Sequence, residues 1–170
     1  MYRAFIATGT LLFVLIIVAA GYLLLSEPDT PLGPPQQQAD ALKLYYYNTE
    51  KDEDATGNVL CSAQGLEPVE RELPLTETSI EDAIKLLIRG ELTADEKSRG
   101  ISTEFPLQSL TLTSAVQDGG TVALTFSDPR NRTSGGACRV SVLRAQIEAT
   151  TKQFPGVENV VIEPEELFQP

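Results

Sequence analysis

The amino-acid sequence predicts an α+β domain: a mostly antiparallel sheet of about five strands with two main helices packed on one face, in a split βαβ arrangement, preceded by one transmembrane helix. Three observations predict it. Residues 4–25 form an uninterrupted apolar run without a charge. Beyond residue 41, short segments alternate apolar and polar residues with the period of two that marks half-buried strands. Two further segments, 80–89 and about 135–153, instead repeat apolar residues at helical spacing between recognisable start and stop signals.

The run from Ala4 to Leu25 has 22 residues, and as a helix it spans roughly 33 Å, enough for a hydrocarbon core of about 30 Å. A cleaved signal peptide fits less well. Signal hydrophobic regions hold about 7–15 residues, and here the apolar run continues through Tyr22 and Leu23 past the small residues Ala19, Ala20 and Gly21. No cysteine follows the run to carry a bacterial lipid anchor. Arg3 precedes it and the acidic flank with Glu27 and Asp29 follows it, so the amino terminus is expected in the cytoplasm and the rest outside. The expected organisation is a cytoplasmic stub (1–3), a transmembrane helix (4–25), a Pro/Gln-rich linker (26–41) and one extracytoplasmic domain (42–170) of a single-pass cell-membrane protein. Proline keeps such a linker extended, as a spacer between bilayer and domain.

The chain holds 13 basic and 24 acidic residues. Without Arg3, the one charge in the first 25 residues, 12 basic residues face 24 acidic ones, a balance of −12. Neither nucleic-acid phosphate nor anionic lipid headgroups suit such a surface, so no nucleic-acid partner is expected. There is no histidine; with Cys61 and Cys138 as the two thiols, a zinc site lacks its usual four ligands, and no metal or cofactor is expected. In an oxidising compartment the two cysteines are expected to pair, two buried reduced thiols being the alternative. The bridge would close a loop of 77 residues, worth roughly 4 kcal/mol in the chain-entropy account.

Along the domain, Leu42, Leu44 and Tyr46 share one face of a first strand. A polar loop, 48–58, is expected to be solvated. A short strand-like piece follows at Val59 to Cys61. Val69, Arg71 and Leu73 then alternate with Glu70 and Glu72 between Pro68 and Pro74, as an edge strand does. Ile80, Ala83, Ile84, Leu87 and Ile88 make the buried stripe of a helix ending at Arg89, capped by Thr78 or Ser79 and closed by Gly90. A shorter helix occupies 94–98, between Thr93 and Gly100. Leu110, Leu112 and Ser114, then Val122, Leu124 and Phe126, flank the turn Asp118-Gly119-Gly120 in a hairpin. The long helix turns Val140, Leu143, Ile147, Thr151 and Phe154 inward and stops at Pro155-Gly156, and residues 159–162 form the closing strand.

Taken in combination, Tyr45-Tyr46-Tyr47-Asn48, Pro74 and Ile80 leading to Leu86-Leu87 and Gly90, Glu96-Lys97, Gly100-Ile101-Ser102-Thr103, Asp118-Gly119 with Val122 and Phe126, Gly135-Gly136, Arg144-Ala145-Gln146-Ile147 and Gln153-Phe154-Pro155-Gly156-Val157 make the chain resemble the GerMN domain. That domain occurs in sporulation and germination proteins and in envelope proteins of bacteria that do not sporulate. The likeness covers about residues 42–162. It implies a compact α+β module, similar to the ring-building domains of envelope assemblies, that works outside the membrane through protein contacts and without catalysis. Germination members often carry two copies behind a lipid-anchored cysteine, whereas this chain has one copy behind an apolar helix, so a general envelope module is the expectation.

Arg130, Arg132 and Arg139 surround Thr133-Ser134-Gly135-Gly136 where the long helix begins. Free N–H groups at a helix start, with three guanidinium groups nearby, can hold an anionic cell-wall or solute ligand, and Arg130, Arg132, Gly135, Gly136 and Arg139 are the candidate binding residues; the alternative in so acidic a chain is that these arginines pair with neighbouring Glu and Asp. Asp52, Asp54, Thr56 and Gly57 match the opening of a calcium loop, but its twelfth position is Ala63 and cannot supply the closing carboxylate. Clustered carboxylates around Asp52 in an open loop lack the shielding that general acid chemistry needs, and no catalytic residue is expected. The function expected is a membrane-anchored, non-catalytic structural or adaptor module, contacting an envelope protein or another copy of itself.

Overall fold

The computed structural model describes residues 41–72 and 79–170. The expected stub, transmembrane helix and most of the linker lie outside the described residues, as do Leu73, Pro74 and the Thr78 cap. Among the described residues no helix is long and apolar enough to cross a membrane. The elements run β1 (Leu42–Asn48), β2 (Leu66–Arg71), α1 (Ser79–Arg89), α2 (Ala94–Ser98), β3 (Ile101–Ser102), β4 (Thr111–Asp118), β5 (Thr121–Ser127), α3 (Ala137–Lys152) and β6 (Asn159–Glu163).

The fold is α+β, but the strands form two three-stranded sheets, β2-β1-β3 and β4-β5-β6, instead of the single sheet of about five. The reason lies on β1. One edge pairs with β2 along its length, from Leu42 opposite Arg71 to Tyr47 opposite Leu66. On the other edge, side chains of the last turn of α3 and of its C-cap Gln153 take the place of a strand. Lys43 N–H donates to Gln153 Oε1 at 2.9 Å, Gln153 Nε2 returns a bond to Lys43 O at 2.6 Å, and Tyr45 N–H donates to Thr150 Oγ1 at 3.1 Å. Backbone donors left unpaired in a core are costly, and here the helix satisfies them. Only Tyr47 and Asn48 remain for β3, so that strand is two residues long and the sheet ends there.

In the second sheet the hairpin β4–β5 closes through Gly119, which adopts φ +56°. A bulge between Leu112 and Ser114 resets the alternation. Ser114, expected on the face of Leu112, therefore lies opposite Thr125 on the other face, and Ala115 turns in beside Leu124. The closing strand β6 pairs with β5 in parallel, Val122 opposite Val160 and Leu124 opposite Ile162. Parallel neighbours need a crossover connection, which α3 supplies, and this βαβ unit makes the sheet mixed. Val59 to Cys61 forms one isolated bridge, Glu53 to Val59, and no strand.

One apolar cluster joins both sheets: Leu44 and Tyr46 from β1, Ile84 and Leu87 from α1, Val122 and Leu124 from β5, and Leu143 and Ile147 from α3 are all within 1% of full burial. Leu167 and Phe168, beyond the last strand, also enter it, and the Phe168 ring stands edge-on to Phe126 at 5.8 Å. α1 keeps its expected stripe. α2 carries a capping box in which Thr93 Oγ1 accepts from Glu96 N–H and Glu96 Oε2 from Thr93 N–H. The Glu96 carboxylate also receives Arg71 in a bidentate pair, at 2.7 and 2.9 Å, so the edge strand and the short helix are bound by one charge-assisted contact.

Gly90 ends α1 at φ +66°, and a Cβ there would stand 1.9 Å from the carbonyl oxygen of Phe105. Both the left-handed backbone and the crossing chain require glycine. Gly90→Ala is expected to lower stability by about 2–4 kcal/mol, measured by urea unfolding.

Candidate functional site

The carboxyl end of β1, the segment after β3 and the first turns of α3 enclose an open groove of about 700 Å³. Val59, Ala137, Val142 and Leu143 supply its hydrocarbon, and Tyr47, Thr103, Gln146 and Arg139 its polar atoms. One wall is the bridge between Cys61 and Cys138, which are disulfide-bonded with Cα atoms 5.1 Å apart. The bridge ties the loop after β1 to the start of α3.

The loop itself is organised around Asp52. Expected to be solvated, this residue is only 1% exposed. Its carboxylate accepts from Tyr47 Oη at 2.5 Å, from Ser62 N–H at 2.6 Å and from Ser62 Oγ at 2.5 Å, while its carbonyl accepts from Leu60 N–H at 2.8 Å. Burial pushes the carboxyl pKa up, but the hydrogen bonds from Ser62 and Tyr47 outweigh it and hold the group below its ordinary value. The same contact, on top of burial, drives the Tyr47 phenol well above its ordinary pKa. A buried charge is tolerated because both carboxylate oxygens accept short hydrogen bonds. Gly65 lies against the Tyr47 ring, where a Cβ would come within 2.5 Å. A second tie runs through Asn48, which donates to Glu67 Oε1 at 2.6 Å and to Arg99 O at 3.0 Å.

Asp54 is likewise occupied. Its Oδ1 accepts from Thr56 N–H, Thr56 Oγ and Asn58 N–H, and these bonds hold its pKa far below the usual carboxylate range. The Asp52 and Asp54 carboxylates thus serve the loop's own turns.

At the start of α3, Gly136 is the N-cap and no side chain caps the helix. Gly136 and Arg139 line the groove. The Arg139 guanidinium donates to Glu104 Oε2 at 2.5 Å, to Ser134 O at 2.7 Å and to Arg132 O at 3.0 Å. Arg132 and Arg139 also line a smaller recess of about 430 Å³ with Asn131, Ser134 and Gln108. Arg130 and Gly135 line neither space. Thr133 N–H donates to Asp128 Oδ2 at 2.8 Å, which folds the 128–133 loop back on itself. Deeper in the groove, Thr103 Oγ1 donates to Gln146 Oε1 at 3.0 Å and Gln146 Nε2 to Val142 O at 3.3 Å. Tyr47, Asp52, Ser62, Thr103 and Gln146 were not legible as site residues. Gln146 interrupts the apolar stripe of α3, and that polar residue on a buried face was the available signal.

The profile of the Germane family, described as sporulation and spore germination, matches residues 43–166. The chain belongs to the Germane family. A comparison with curated protein sequences finds no match. Among solved structures, the tandem GerMN domains of the sporulation protein GerM from Bacillus subtilis align at 20% identity and TM-score 0.49, over 79% of this chain and 43% of that one. The chain therefore spans less than half the length of that tandem. The first GerMN domain of the same protein aligns at 18% identity and TM-score 0.49, over 75% of this chain and 85% of that one. This is a GerMN-type domain.

The Arg71 guanidinium holds the Glu96 carboxyl at about 2. A depressed carboxylate stabilises the fold above its unfolded pKa, near 4.3, and loses that contribution as pH falls toward the folded value. The thermal midpoint is thus expected to drop between about pH 4.5 and pH 2. In Glu96→Gln, measured by circular dichroism, it is expected to start lower and to fall less steeply over that window.

Proposed function

We propose that the chain is a membrane-anchored, extracytoplasmic binding module of the cell envelope that acts without catalysis. The observation that carries this reading is the groove beside the Cys61–Cys138 bridge. Its apolar walls continue outward onto Val59 and Leu60, which are 39% and 52% exposed. Its larger polar side chains are engaged in internal bonds: Tyr47 with Asp52, Gln146 with Thr103 and Val142, Arg139 with Glu104. A surface whose larger polar side chains are engaged and whose lip is aliphatic suits the apolar side chains of another protein better than a reacting substrate. Membership of the Germane family and the apolar run at 4–25 support an envelope setting.

A second reading, an anionic ligand in the recess lined by Arg132, Asn131 and Ser134, rests on one observation. Arg132, which lines that recess, is exposed, and among the described residues its side chain forms no ion pair.

A photoreactive residue at Leu60 of the full-length chain, activated in intact cells, is expected to give a discrete protein adduct. Ala137→Arg, which puts a long charged side chain into the groove from the exposed first turn of α3, is expected to remove it. An adduct unaffected by Ala137→Arg, or none at all, contradicts the groove as the contact surface. Fractionation of the same cells tests the anchor: the chain should pellet with membranes and resist carbonate.

A further inference from the structure

The outer face of the β4-β5-β6 sheet carries an aliphatic row that the groove does not use. Register places Val116 opposite Ala123 and Ala123 opposite Val161. The three side chains cross the sheet in one line over two strand spacings, roughly 10 Å. Val116 is 57% exposed and Val161 41%, the most exposed large aliphatics of this sheet.

The flanking rows are polar. One holds Asp118, Thr121 and Asn159, and the other Ser114, Thr125 and Glu163. β4, β5 and β6 contain no Lys or Arg, so each side of the row presents a carboxylate and no countercharge from the sheet. Thr125 Oγ1 donates to Glu163 Oε2 at 3.3 Å, which keeps that carboxylate on the face.

We propose that this face docks a cationic amphipathic protein segment: a short aliphatic stripe for Val116, Ala123 and Val161, with Lys or Arg on both flanks for Asp118 and Glu163. A second copy of this chain does not suit it, because carboxylates would meet carboxylates across a two-fold contact. The surface shares no residue with the groove, so one domain can hold two partners.

The test uses the full-length chain in neutral detergent micelles and three synthetic probes: a helical peptide with a leucine stripe flanked by lysines, the same peptide with glutamates in place of the lysines, and a scrambled peptide of the lysine composition. Binding is read by fluorescence anisotropy and mapped by amide chemical shifts. The lysine-flanked peptide is expected to shift the amides of β4, β5 and β6, and to bind at least about tenfold more tightly than either control. Val116→Ser with Val161→Ser is expected to weaken it by about tenfold or more, and Asp118→Lys with Glu163→Lys to switch the preference to the glutamate peptide. Ala137→Arg in the groove should change none of this, which separates failure here from failure of the groove. Equal binding of the lysine and scrambled peptides, shifts centred elsewhere, or a preference unchanged by charge reversal overturns the proposal. So does concentration-dependent dimerisation abolished by Val116→Ser.

Discussion

The buried carboxylate of Asp52 is the constraint on which the groove depends. An ionised group 1% exposed is stable only when its hydrogen bonds exceed its desolvation cost, and Tyr47 Oη, Ser62 N–H and Ser62 Oγ supply them. Those bonds draw residues 60–62 onto the end of β1, which puts Cys61 within bonding distance of Cys138. The disulfide then fixes the loop against α3. Core burial accounts for the helices and strands, but this polar knot and its covalent neighbour account for the wall of the groove and for the exposure of Val59 and Leu60.

α3 shows a related economy. Its buried face is not purely apolar: Gln146, Thr150 and Thr151 are fully buried. Thr150, with Gln153 at the helix end, occupies the edge of β1 that would otherwise seek another strand. Thr151 Oγ1 returns to Ile147 O at 2.8 Å. A helix that carries hydrogen-bonding groups inward both packs and terminates a sheet, and the division into two sheets follows from it.

Elements set by local periodicity were legible in the amino-acid sequence. The α1 stripe, the short helix between Thr93 and Gly100, the Asp118–Gly120 hairpin and the inward residues Leu42, Leu44 and Tyr46 all lie where alternation and helix start and stop signals put them. The Arg144–Glu148 pair, spaced four apart on α3, forms at 2.7 Å. What local patterns do not encode was missed: the parallel return of β6, the bulge at Leu112, the brief β3, and the docking of Leu167 and Phe168. Each depends on contacts between residues distant in sequence. The site was less legible than the fold for the same reason. Gly136 and Arg139 do reach the groove, but an acidic stretch from Glu50 to Asp54 reads as solvated until Ser62 folds over it. The arginines read either as an anion cradle or as partners for neighbouring carboxylates, and Arg139, engaged by Glu104, takes the second course.

Two chemically different surfaces then lie on one small acidic domain, an aliphatic groove stapled by a disulfide and an open sheet face edged with carboxylates. The organising role of Asp52 is tested most directly by amide hydrogen exchange on Asp52→Asn, which keeps the shape and removes the charge. The account predicts that exchange at Leu60 and Ser62 quickens by about tenfold or more, while amides of α1 and β5 keep their protection. Unchanged protection at Leu60 and Ser62, or a uniform loss across the domain, would contradict it.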